Sequence, residues 1–454
     1  MNKNRMAQRR KIDTLSKNTS RYKLSLEWYE QTKHVTPGGA QTLSKMPKRF
    51  PFGSFPIAVE RGDGARVQDI DGNWYVDWIN ALGAVTLGYQ HAHVVDSIVR
   101  QLKDGVLFSL PHRIERDISA RLTKLIPCAE SVRWFKTGSE ATQAAIRTAR
   151  IATGCEMVLT VGDGYHGWHS WFLAVKPWHP GVPNAYEDLI KPFRYNDLSS
   201  LEVQLERYGT RTAAVILEPC HFEMPMPGFL EGVRELCNRY RTILIFDEIV
   251  TGFRWAVGGG QEYFGVVPDL ATFGKAAANG LPIAFLCGKK EFMRHAELVQ
   301  GGTFGGDALS LVACNAVLDV YQKEPVIETL WTRGKELQKQ FNETAKQLNV
   351  DAICSGFPCK PRIEFFPYTE SPKANDDGPR KILAMSLFLQ EAAAAGILFH
   401  PVNCNVSAVL TDKDMKATFH AIKVALRAVA RALEHDDWTA LTGQPIQSVV
   451  PLRS

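Results

Sequence analysis

Thr242-Ile243-Leu244-Ile245-Phe246-Asp247-Glu248-Ile249 is an unbroken apolar run that ends in two acids. A strand wetted on one face alternates apolar and polar residues. A run without alternation must be covered on both faces, as in a parallel sheet wrapped by helices. Its neighbours repeat the pattern. Glu231 to Tyr240 has helical spacing, and Thr212 to Glu218 reads as a second buried strand. Further out, Glu156 to Val161 and Ser131 to Lys136 read as strands, the latter followed by an alanine-rich helix from Ser139 to about Thr153. Such alternation from about residue 86 to 320 predicts an α/β layer structure, with its ligand at the carboxyl ends of the strands.

The flanks read differently. Ile57 to Trp78 resembles an antiparallel meander with Asp71-Gly72 at a hairpin turn. After about residue 325 come a long helical stretch, strands near Cys359–Phe366 and Ser407–Leu410, and an amphipathic helix from Asp412 to Leu433. We expect four parts: a basic, mobile tail over 1–22, a small-domain segment over 23–85, a large domain over 86–324 and the rest of the small domain over 325–454. The tail's cluster of Arg5, Arg9, Arg10, Lys11, Lys17, Arg21 and Lys23 has no apolar stretch beside it, so it is no secretory signal.

With 45% hydrophobic and 22% charged residues and a net charge of +5, composition gives no case for nucleic acid. No apolar stretch is long enough for a membrane span. Nine scattered cysteines, without the spacing of a metal site, predict reduced thiols, a cytoplasmic location and no bound metal.

Three segments carry chemistry. Lys136-Thr137-Gly138-Ser139-Glu140 leads from a strand into a helix, where free N–H groups and the helix dipole favour an anion. Plain N-capping by Thr137 or Ser139 explains the same residues. Asp247-Glu248 resembles the magnesium strand of an ATPase, but no GxxxxGK[ST] loop exists in the chain, so that reading fails. Phe273-Gly274-Lys275-Ala276-Ala277 places a lysine in an apolar run. Burying an ammonium costs several kcal/mol unless it is paired or neutralised, which makes such a lysine a candidate nucleophilic amine.

In order and spacing these segments resemble the class III aminotransferases of pyridoxal-phosphate fold type I, and most of all the glutamate-1-semialdehyde 2,1-aminomutase-like branch. Gly164-Tyr165-His166-Gly167, Glu218-Pro219, Asp247 to Arg254 and Gly302-Thr303-Phe304-Gly305-Gly306 extend the likeness, which runs from about Thr36 to Leu426. The resemblance implies a large domain with a mostly parallel seven-stranded sheet and a smaller α+β domain drawn from both termini. It implies pyridoxal 5'-phosphate as cofactor, carried by Lys275 as a Schiff base, with Asp247 on the ring nitrogen. Tyr165 and Ile249 would cover the two ring faces, and Gly138 and Ser139 would bind the phosphate. Thr303 would join them from the second subunit of a homodimer. His166 and Glu218 are supporting candidates.

Three departures bear on substrate. Lys45 stands where the aminomutases carry a carboxylate-binding arginine, Asn405 where they carry a glutamate, and the stretch between Trp168 and Pro183 is short and aromatic. Lysine lacks arginine's planar two-pronged fork. With Arg254 as the remaining candidate for an anionic group, the expectation is an aminotransferase. It would pass an amino group from an amino acid, glutamate first, to a keto-sugar or other non-standard carbonyl compound. The alternatives are a true aminomutase, or an epimerase or decarboxylase on the same cofactor. The intact set of Lys275, Asp247 and the phosphate segment speaks against a non-catalytic binding protein.

Overall fold

The computed structural model describes residues 21–220, 223–367 and 378–447. Most of the basic tail, residues 1–20, lies outside them. Arg21 and Tyr22 are part of the folded body: the Arg21 guanidinium donates to the carbonyls of Ala394 and Ala393 at 2.9 and 3.3 Å, and Tyr22 is buried.

The central sheet has seven strands: β4 (Ser131–Phe135), β5 (Met157–Val161), β6 (Ile190–Phe193), β7 (Thr212–Leu217), β8 (Ile243–Asp247), β9 (Leu270–Phe273) and β10 (Ala284–Gly288). Their order is β4-β10-β9-β8-β7-β5-β6, and β10 alone runs against the other six. The unalternating runs follow from burial on both faces. Ile243 and Ile245 of β8 face the alanine-rich helix Gly138–Thr153, whereas Leu244 and Phe246 face the helices Leu198–Tyr208 and Phe229–Tyr240. Ala141, Ala144, Ala145 and Ala149 recur at helical spacing and let that helix lie close on the sheet. Small side chains here decide the distance between layers.

The flanks meet as expected in a smaller α+β unit. An antiparallel meander, β1 (Val59–Asp63), β2 (Arg66–Asp69) and β3 (Trp74–Asp77), is extended by β13 (Ile397–Leu398), which pairs parallel with β3. Gly72 takes φ +88° in the predicted hairpin turn. Between β3 and β13 in the chain, β11 (Ala352–Ser355) and β12 (Arg362–Phe365) form a separate antiparallel pair. The final helix, Asp412–His435, is tied to the meander by Arg66 on Asp414 and by Trp78 Nε1 on Thr418 Oγ1 at 3.1 Å. Ser407–Leu410 is not a strand. It runs beside the loop after β3, with Ala408 N donating to Thr86 O at 2.8 Å, and the strand lies ten residues earlier.

Candidate active site

A cavity of about 310 Å³ opens at the carboxyl edge of β4, β5, β7, β8 and β9, a volume at the lower end for a small-molecule site. Gly138, Ser139, Tyr165, His166, Glu218, Asp247, Ile249 and Lys275 all line it. Eight residues spread over 138 positions of chain are thus brought to one place.

β8 sets the acids by its pleat. Asp247, its last residue, points into the cavity; Glu248 points away. Asp247 Oδ2 lies 2.7 Å from His166 Nδ1, and Oδ1 accepts from Ile249 N at 3.1 Å and from Thr272 Oγ1 at 3.4 Å. Glu248 accepts instead from Thr251 Oγ1, from Gly260 N at 2.6 Å and from Gln261 N at 2.9 Å. Burial pushes its carboxyl up to about 7 against those hydrogen bonds. One acid serves the cavity and the other ties β8 to the following loop.

Lys275 follows β9 at φ +38°, a left-handed conformation that costs a non-glycine residue about 1 kcal/mol. Burial lowers its pKa, opposed by Asp247 and Glu218, which favours the neutral, nucleophilic amine. Ile249 fills the space between two glycines. A Cβ at Gly138 or at Gly274 would come within 3.1 Å of its Cδ1.

At the helix start the capping and the cavity lining fall on different residues. Thr137 is the N-cap, accepting from Glu140 N at 3.3 Å, while Glu140 Oε2 accepts from Thr137 N at 2.8 Å. Gly138 and Ser139, one and two residues on, line the cavity. Three residues that sequence reasoning missed complete this corner. Thr142 Oγ1 donates to His166 O at 2.7 Å, Lys136 reaches Asp307 and Ser310, and Lys176 grips the Tyr165 loop. Each acts on a partner more than ten positions away, which no local motif reveals.

The remaining candidates lie elsewhere. Thr303 is exposed, in a loop that does not line the cavity of its own chain. Lys45 borders a separate chamber of about 490 Å³ with Phe50, Leu82 and Tyr89. Arg254 is buried behind the wall, giving Nη2 to Gly83 O at 2.5 Å and Nε to Val250 O at 3.3 Å. Its Nη1 has no partner among the described residues. Asn405 gives Nδ2 to Ile79 O at 3.0 Å, and Asn80 Nδ2 gives to its carbonyl at 2.5 Å. A Cβ on Gly83 would meet Asn405 Oδ1 at 2.8 Å and Arg254 Nη2 at 2.9 Å, so these two brace the turn that delivers Ala84 to the cavity. Of the aromatic stretch, Trp171 and Phe172 are core, whereas Trp168 is 68% exposed.

The residues present suit pyridoxal phosphate. A deprotonating buried amine, a carboxylate able to hold a ring N–H, and a helix N-terminus for a phosphate share one cavity of fitting size.

Comparison with known proteins agrees. The family model described as "Aminotransferase class-III" matches residues 51–426. The chain is 35% identical over 419 residues to the 3-aminobutyryl-CoA aminotransferase of Cloacimonas acidaminovorans (strain Evry), covering 90% of this chain and 98% of the relative. It is 33% identical to the glutamate-1-semialdehyde 2,1-aminomutase of Syntrophobacter fumaroxidans (strain DSM 10017 / MPOB), over 89% and 97%. Among solved structures, the pyridoxal-phosphate internal-aldimine form of the FumI protein of Sphingopyxis sp. MTA144 superposes with a TM-score of 0.84 at 26% identity, covering 90% and 97%.

Proposed function

This chain belongs to the class III aminotransferases, pyridoxal-phosphate enzymes, and on that premise we propose that it moves an amino group from an amino acid, glutamate first, to a keto-sugar or other non-standard carbonyl acceptor. The observation that carries the reading is the convergence of Lys275, its amine pKa lowered by burial, with Asp247 in one cavity. The cofactor, when bound, supplies the electron sink. Lys275 would hold it, and its amine, once free, would be placed to take the proton from the donor carbon that bears nitrogen. Asp247, oriented by His166, keeps the ring nitrogen protonated. Tyr165 and Ile249 cover the ring faces, Gly138 and Ser139 hold the phosphate, and Glu218 borders the substrate side.

Lys136 and Lys275 are the cations lining the cavity among the described residues. Arg254 is walled off behind Gly83, and Lys45 faces the neighbouring chamber. Among the described residues the cavity thus offers no arginine to a carboxylate of donor or acceptor, and the acceptor is read from the 3-aminobutyryl-CoA aminotransferase relative, which suggests a 3-oxoacyl thioester beside the keto-sugar. Identity to the aminomutases keeps a second reading, in which both nitrogens stay on one substrate.

The enzyme would work as a homodimer. The exposed apolar residues Val106, Leu107, Phe108 and Leu110 lie beside the Thr303 loop, and Ala308 N donates to Val106 O at 2.9 Å. Thr303 of a second copy would then complete the phosphate site. Nine free cysteines, eight of them buried, suit a cytoplasmic location. No helix among the described residues is long and apolar enough to cross a membrane.

The test is to add glutamate to the holoenzyme, measure 2-oxoglutarate release, and then offer a panel of acceptors. Release of 2-oxoglutarate followed by amination of a keto-sugar or a 3-oxoacyl thioester supports the reading. Turnover of glutamate-1-semialdehyde without any donor would replace it with the aminomutase. No visible absorbance band from bound pyridoxal phosphate, or a band that survives Lys275→Ala, would sink both.

A further inference from the structure

Lys176 is not among the residues that line the cavity; it lies ten residues after His166, and its side chain returns to the Gly164-Tyr165-His166 loop. Nζ donates to Gly162 O at 3.0 Å and to Gly164 O. It also sits 4.5 Å from the centroid of the Phe172 ring, a cation–π distance. Phe172 is fully buried and meets the rings of Tyr165 and His166 edge-on, at 6.0 and 5.2 Å. His166 in turn reaches Asp247. One ammonium therefore fixes the middle of the loop whose two ring-bearing residues face the cavity.

The loop's ends have other anchors. Gly162 N donates to Phe193 O at 3.1 Å, and the carbonyl of His166 accepts from Thr142. Between them the carbonyls of Gly162 and Gly164 converge on a single donor. The backbone of Lys176 is itself held, its carbonyl 2.6 Å from His179 Nδ1, with His179 Nε2 3.6 Å from Glu187. We infer that Lys176 is a positioning residue: its ammonium holds Tyr165 and His166 at the cofactor ring, and loss of its charge loosens the loop and the cofactor.

The reaction as proposed does not use this group, although the inference rests on that reading for what the loop touches. Its surroundings also make the charge sensitive near neutrality. Burial lowers the Lys176 pKa to about 8, while Asp163 on the same loop and Glu218 at the end of β7 oppose the shift. A neutral amine would keep weaker hydrogen bonds to the carbonyls and would lose the cation–π contact. The loop should therefore relax as pH rises through about 8.

The experiment compares wild type, Lys176→Met and Lys176→Arg by amide hydrogen exchange of residues 163–168 in the cofactor-free protein, corrected for intrinsic pH dependence, and by equilibrium binding of pyridoxal phosphate. Wild type should lose protection as pH rises through about 8. Lys176→Met should exchange about tenfold faster below that pH, show no such transition, and bind the cofactor about tenfold more weakly. Lys176→Arg should restore protection and move the transition upward. Unchanged protection and affinity in Lys176→Met, or a lower melting temperature with both unchanged, would overturn the inference. If no variant, wild type included, binds pyridoxal phosphate, the functional reading fails, and the exchange arm still decides the role of Lys176.

Discussion

His166 Nδ1 stands 2.7 Å from Asp247 Oδ2, and both side chains are almost completely buried. The carboxylate accepts there, so the proton sits on Nδ1. Nε2 has no partner among the described residues. The pair is held from behind, because Thr142 fixes the His166 carbonyl.

His166→Leu removes the donor and leaves the Asp247 carboxylate with one fewer partner in a buried site. Hydrogen bonds to charged groups contribute about 1.5–3 kcal/mol, which predicts a fall in kcat of about ten- to a hundredfold. Asp247→Asn should lose more, because on the proposed reading it removes the charge that would keep the ring nitrogen protonated. Steady-state kinetics with the bound cofactor's absorption spectrum would check this. Equal rates for wild type and His166→Leu would show that the histidine only packs.

Gly138→Ala should weaken cofactor binding through Ile249 rather than directly. The added methyl would stand 3.1, 3.2 and 3.3 Å from Ile249 Cδ1, Cγ1 and Cγ2, closer than ordinary contact, so the isoleucine must give way and disturb the ring face it is proposed to cover. Ile249→Ala removes all three of those carbons and should recover part of the loss. A double-mutant cycle on pyridoxal-phosphate affinity is the measurement, with a coupling of about 0.5–3 kcal/mol expected for residues in contact. Strict additivity would count against the contact.

How much of this was legible depended on whether the information was local. β8 announced its burial by its lack of alternation, and Asp247, Lys275 and Gly138 sit in motifs only a few residues long. β13 is two residues long and exists because β3 offers it an edge, which no local pattern encodes. Ser407–Leu410 has strand-like residues, yet the loop after β3 takes its backbone groups instead. Arg254 sits in a motif that reads as anion-binding, and its carbonyl partner Gly83 lies 171 positions away. Lys176 belongs with these: its contact with the loop is a matter of packing.

Glu248 predicts a pH dependence of stability. Folding raises its pKa from the usual 4.5 to about 7. Its stabilising contribution, the protonated form accepted in the fold, is complete below about 4.5 and is lost as pH rises to about 7. At about 1.4 kcal/mol per unit, the loss is on the order of 3 kcal/mol. Glu248→Gln cannot titrate, so its melting temperature should change less than that of wild type between those pH values. Parallel curves would mean that Glu248 stays ionised in the folded chain.

The homodimer makes the last prediction. A single chain of 50.7 kDa that exposes Leu110 at 79%, together with Val106, Leu107 and Phe108, carries an apolar patch of the kind that marks an interface. Light scattering should therefore give about twice that mass. Leu110→Asp puts a charge where a second copy would bury apolar surface, and it should shift the protein toward monomer while leaving the fold's circular dichroism intact. Because Thr303 would reach the phosphate only across that interface, the monomeric variant should also bind pyridoxal phosphate more weakly, as should Thr303→Ala in the dimer. A monomeric Leu110→Asp protein that keeps wild-type cofactor affinity would place Thr303 outside the site, whatever the oligomer does.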